Sequence, residues 1–222
     1  AYTRRLLLGA GGDPWIDAAG YLAYFSQAHG LLRPDVAVLE VGELFDAWVN
    51  RNPTVRAELD AKRRAAFPLR KLLEQAEPRE LLGQVVDAVI GNLRGQTPLV
   101  LSIPSPARWL RHAATLAGRE DVAPDPDAIE DAAMYLADLL RAVSAHPVGG
   151  VLLEEHPDDS GMAGSDLERY RPLINVAAHY RWPLVLRPGA GGVQACPALT
   201  EFGAVISPTV RMAPPGSSGV DI

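Results

Sequence analysis

Short, unbroken apolar runs alternate along this sequence with longer segments of helical periodicity, and that alternation restricts the chain to α/β architectures. The runs fall at 6–8, 36–39, 98–103, 149–153, 183–186 and 202–206. A strand that is apolar at successive positions has no face to offer to water. Such strands belong to a parallel sheet covered by crossover helices.

The intervening segments carry helix signals. Asp13-Pro14 reads as an N-cap and a first-turn proline, ahead of a helix with Ile16, Ala19, Leu22, Ala23 and Phe25 on one face. Residues 55–76 are charged and helical in character, with Pro68 as a break. Residues 80–93 form an amphipathic pattern that Gly95 closes. Asp125-Pro126-Asp127 caps a helix whose apolar side runs from Ile129 to Val143. Ser165 and Glu168 have the spacing of a capping box, before a helix bearing Tyr170, Leu173, Ile174 and Ala177.

Six strands separated by helices predict a parallel (β/α) barrel of the TIM type, incomplete or modified, formed by residues 1–222 as one domain. A full eight-stranded barrel takes about 250 residues, and this chain has 222. The alternative is a doubly wound open sheet. In both architectures ligands bind at the carboxyl ends of the strands.

Composition narrows the function classes. A net charge of −6 disfavours a nucleic-acid partner. No apolar run is long enough to cross a bilayer, so no membrane partner is expected. The single cysteine, Cys196, rules out an internal disulfide and fits a reducing cytoplasm. No HExxH or Cys/His pairing is present, so neither a metal nor a cofactor is expected. The loop from Gly9 to Asp13 does not spell a dinucleotide fingerprint. Open barrel edges need covering, and a second copy of the chain would do it, so a homodimer is an expectation.

The densest ionisable cluster is Glu154-Glu155-His156-Pro157-Asp158-Asp159, where the run 149–153 stops. A carboxylate at such a boundary can lose part of its hydration and act as an acid or base. Alternation along a strand prevents Glu154 and Glu155 from facing the same space. Glu154, Glu155 and His156 are therefore the catalytic candidates, with Asp158 beside them for binding. Ser102 lies within the run 98–103, and Ser105 and Arg108 follow it. Ser105 could cap the next helix or donate to an anion, and Arg108 could pair with a carboxylate. Arg187 ends the run 183–186 and suits an acidic small-molecule substrate, or a salt bridge to the neighbouring acidic cluster. Glu40 and Glu43 end the run 36–39 and join the site candidates. His29, His112, His146 and His179 lie in or near helices and read as surface residues.

The segment from Pro98 to Leu110, the strand end Gly150-Val-Leu-Leu-Glu-Glu-His156, and the helix and strand that follow resemble the superfamily of uroporphyrinogen decarboxylase and cobalamin-independent methionine synthase. The likeness covers roughly the second half of the chain. It implies a barrel with its ligand at the mouth, and an acidic strand-end position at Glu155 or Glu154. Methyl-transferring members carry a His-x-Cys zinc pair where this chain has Arg187-Pro188-Gly189. The porphyrinogen decarboxylases carry arginines where this chain has the loop from Gly9 to Asp13. The resemblance therefore implies a lyase of the decarboxylase kind, acting without metal or cofactor on a small or medium organic acid. Two alternatives stand beside it. One is methyl transfer with a corrinoid or folate partner, or with a metal held by Glu155 and His156. The other is a non-catalytic barrel that binds a ligand or a partner subunit.

Overall fold

In the computed structural model, which describes residues 12–119, 123, 125–158 and 163–206, the apolar runs form one parallel sheet. The strands are β1 (Ala37–Glu40), β2 (Leu99–Pro104), β3 (Gly150–Glu154), β4 (Leu184–Arg187) and β5 (Ala204–Val205). The run at 6–8, the glycines up to Gly11 and Asp159 lie outside the described residues.

The spatial order of the strands is their chain order, and every neighbouring pair is parallel. Each crossover therefore steps one strand in the same direction. Right-handed crossovers that all step the same way place their helices on the same face of the sheet. A doubly wound sheet reverses direction partway, and this one does not. Among the described residues the sheet is open, since β1 and β5 each have one strand neighbour.

Burial follows from that winding. Leu39, Leu101, Ile103, Val151, Leu153 and Leu186 point to the helix side and are fully buried. On the other face Val38 is 42% exposed and Val100 and Val185 are partly covered. The expectation of strands buried on both faces thus holds for the centre of the sheet, where Ser102 and Leu152 are buried, and fails towards β1.

The helices that cover the sheet are α1 (Ala18–Leu32), α2 (Val41–Arg51), α3 (Val55–Leu59), α4 (Phe67–Leu73), α5 (Ala76–Leu93), α6 (Pro106–Leu116), α7 (Pro126–Arg141), α8 (Gly164–Glu168) and α9 (Arg171–Tyr180). Asp125 caps α7 as expected, its carboxylate accepting from Ala128 N at 2.7 Å. Three expectations are corrected. Asp13 caps only a 3-10 turn, Pro14–Ile16, and Asp17 restarts the chain as α1 by accepting from Gly20 N at 2.7 Å. Tyr21 and Phe25, rather than Leu22, form the buried side of α1, and Ile16 is exposed. The Ser165 capping box does not form. Ala163 is the N-cap of α8, and the chain breaks before α9, where Pro172 stands in the first turn.

Candidate functional site

The carboxyl ends of the first four strands bring Glu40, Pro104, Glu154 and Arg187 to one rim. The register sets Pro104, Glu154 and Arg187 side by side on adjacent strands. Glu154 and Arg187 accordingly form an ion pair, which also carries a hydrogen bond from the guanidinium. Arg108, in the first turn of α6, approaches the other Glu154 oxygen at 3.7 Å. It also faces the carbonyls of Glu154 and Glu155 at 3.5 and 3.4 Å. Glu154 is thus clamped between two arginines drawn from different elements, one from the first turn of α6 and one from the end of β4.

Ser105 holds that arrangement in place. Its hydroxyl accepts from Arg108 N at 3.1 Å and so caps α6, while its own N–H donates to the Glu154 carbonyl at 2.8 Å. The serine is fully buried and links the β2 loop to β3. Ser102 is also buried, and among the described residues its hydroxyl has no partner of good hydrogen-bond geometry.

Glu155 goes the other way. Its N–H donates to the Arg187 carbonyl at 2.9 Å, and its side chain is buried. The carboxyl group accepts from the Tyr170 hydroxyl at 2.7 Å, and both residues are buried. Burial, and then the neighbouring Glu155, push the Tyr170 phenol well above its ordinary range. Glu155 is not among the residues lining the cleft described below. His156 is exposed on the opposite side, its Nδ1 accepting from Asp158 N at 3.2 Å. Asp158 is almost fully exposed, 3.8 Å from the same ring nitrogen, and closes a local turn. Glu155 and His156 do not converge on a shared site. Among the described residues no group of three or more His, Cys, Asp or Glu side chains is placed to hold a metal ion.

The cleft itself, about 500 Å³, opens between α2 and α6 above the strand ends. Glu40, Glu43 and Asp46 stand on its α2 side, and Arg108, Arg111 and His112 on its α6 side. Glu154 and His156 complete the charged lining. Asp46 and His112 hydrogen-bond across it at 2.5 Å and tie the two walls together. Trp109, packed edge-on against Phe45 with ring centroids 5.6 Å apart, is the large apolar element of the wall.

Glu40 is the group whose chemistry the cleft alters most. Water reaches it, yet protein surrounds it on the concave side and strips part of its hydration. That loss, then repulsion from Glu154, raises its pKa above the usual carboxylate range. Ser102 and Arg187 oppose the shift more weakly. Glu40 has no ion pair among the described residues, in contrast to the doubly held Glu154.

The structure therefore brings together Glu154, Arg187, Arg108 and His156, and it draws Glu155, Ser105 and Ser102 into the packing. Asp46 and Arg111 were absent from the sequence reading, and His112, expected at the surface of its helix, instead lines the cleft. Their signal is periodic. Glu40, Glu43 and Asp46 recur every three positions, and Arg108 recurs with Arg111 and His112, so each set marks one helix face. Nothing in either segment alone shows that the two faces meet. Compared with known proteins, the chain significantly matches no family model, no curated protein and no solved structure.

Proposed function

We propose that this chain is a lyase acting on a small organic acid, with the α2–α6 cleft as its active site. The observation that carries the reading is Glu40: a carboxylate with a raised pKa, standing without an ion pair among the described residues, in a cleft that also presents arginines. Perturbed carboxylates of this kind cluster at functional sites. A carboxylate with raised pKa is a stronger base when ionised and a usable acid when protonated.

In this reading Arg108 and Arg111 hold the substrate carboxylate, and Glu40 moves a proton at the carbon beside it. Glu154 keeps Arg108 and Arg187 in position rather than moving the proton itself, because both of its oxygens face guanidinium groups. Decarboxylation is the form of lyase chemistry that the resemblance of the strand ends implies. That resemblance supplies the barrel-mouth location and the acidic strand end, and the geometry shifts the proton-handling role from Glu155 to Glu40.

The test is a panel of short mono- and dicarboxylic acids incubated with the protein in deuterated buffer and followed by NMR. One acid should exchange or lose the proton beside its carboxylate, or be cleaved there. Glu40→Gln should slow that reaction by a factor of about 10² or more, the usual contribution of one acid–base group. Turnover that survives both Glu40→Gln and Glu154→Gln would refute the proposal.

A further inference from the structure

The two walls of the cleft carry opposite charge. Glu40 ends β1, and Glu43 and Asp46 follow at helical spacing along α2, so one wall is acidic. Arg108 and Arg111 lie three apart on α6, with His112 next to the second, so the facing wall is basic. Four carboxylates and two arginines line the cleft, which leaves negative charge in excess when its histidines are neutral. Of the four, Asp46 is joined to His112 and Glu154 to two arginines, and Glu43, like Arg111 opposite, has a partner of its own, whereas Glu40 has no ion pair among the described residues and is repelled by Glu154.

A plain carboxylic acid fits only half of such a cleft. Its charge suits the α6 wall but adds to the negative excess opposite. A plain amine has the reverse fault. A molecule carrying both charges satisfies both walls, and charge complementarity of this sort sets specificity more than raw affinity.

We infer that the cleft selects a zwitterion: an organic acid that also bears an ammonium group, with the ammonium against Glu40 and Glu43 and the carboxylate against Arg108 and Arg111. The inference rests on the cleft being the acid-binding site proposed above, and it names the substrate class for that site. An ammonium beside Glu40 adds positive charge where Arg187 only weakly offsets the repulsion from Glu154. It also keeps Glu40 ionised, which is the form that acts as a base.

Binding rather than turnover tests this. Short α- and ω-amino acids are titrated into the full chain by calorimetry, each beside its desamino acid and its decarboxylated amine. At least one amino acid should bind about tenfold tighter than both counterparts, the ratio that one well-placed charge contact supplies. Glu40→Gln and Glu43→Gln should each reduce that preference towards unity, while binding of the desamino acid stays the same or tightens. Glu40→Asp, which keeps the charge, should retain most of the preference. Melting curves of each variant establish that it is folded. If desamino acids bind as tightly as amino acids, the zwitterion inference is overturned and the acid-binding site stands. If the preference survives Glu40→Gln and Glu43→Gln together, the inference is overturned as well. If no member of any series binds, both the inference and the proposed site fall.

Discussion

Removing a single oxygen from Tyr170 tests the assignment of Glu155 to the framework. Tyr170 is fully buried, and its hydroxyl donates to the buried Glu155 carboxyl group at 2.7 Å. Tyr170→Phe keeps the ring and its packing and deletes the hydroxyl, which donates to Glu155 and also meets Ser105 and the Ala107 backbone. Removing one partner of a buried hydrogen bond costs about 2 kcal/mol, because the buried oxygen left behind cannot recover its hydration. For a chain of this length each kcal/mol lowers Tm by about 2–4 °C. The variant should therefore melt roughly 4–8 °C below the wild type, and urea denaturation at neutral pH should show the same loss without a change in slope. In a Glu155→Gln background the same substitution should cost measurably less, since the two residues share one interaction. A loss below about 0.5 kcal/mol, the scale of an ordinary surface change, would refute the assignment. So would strict additivity of the two substitutions. Either result would return Glu155 to the list of groups free to do chemistry.

Three further outcomes follow from the same structure. Glu40 holds its proton to higher pH in the folded chain than in the unfolded one. Between its ordinary and its raised pKa the folded state thus binds more protons, and its contribution to stability falls as pH rises through that window. Glu40→Gln should consequently raise Tm near neutrality and change it little at pH 4. A Tm penalty that is equal at every pH would contradict this. Tyr170 and Tyr21, both raised by burial, should make stability decline above about pH 10, where the unfolded phenols ionise and the folded ones do not. Tyr170→Phe should soften that decline in an alkaline titration followed by circular dichroism. Finally, a Cβ added at Gly150 would stand 2.9 Å from the Pro183 carbonyl oxygen, so Gly150→Ala must push β3 and β4 apart. A loss of about 1–3 kcal/mol is expected in urea denaturation, and an unchanged midpoint would contradict the β3–β4 register.

The strands were legible in the sequence because each is a short apolar run with a charged or proline boundary. The runs at 98–103 and 149–153 coincide with β2 and β3 to within a residue. Helix starts were legible only where one capping residue had no rival. Asp125 is such a case, whereas Asp13 and Asp17 compete four positions apart and the second captures the helix. The split of α8 from α9 was hidden because a capping-box spacing at Ser165 hid the effect of Pro172.

At the rim, alternation correctly separated Glu154 from Glu155, and the sequence distance to Arg187 was bridged by a direct pair on adjacent strands. Which glutamate faced the cleft was not legible. That depends on what lies behind β3, and the partner that draws Glu155 inward, Tyr170, is fifteen residues away on another element. That Asp46, Arg111 and His112 join Glu40, Glu43 and Arg108 in two facing walls was missed for a related reason. A polar stripe on a helix ordinarily meets water, and only the adjacency of β1 and β2 turns these two stripes towards each other.

The central claim is that the cleft perturbs Glu40 and that Glu154 is part of the cause. A carboxyl-carbon NMR titration that follows Glu40 in the wild type and in Glu154→Gln measures this directly. The account predicts that Glu40 titrates above the ordinary value of 4.5 in the wild type. It also predicts a downward move in the variant, where the repelling charge is gone and Arg108 and Arg187 are released from Glu154. A Glu40 that titrates at its ordinary value in both proteins would contradict the account.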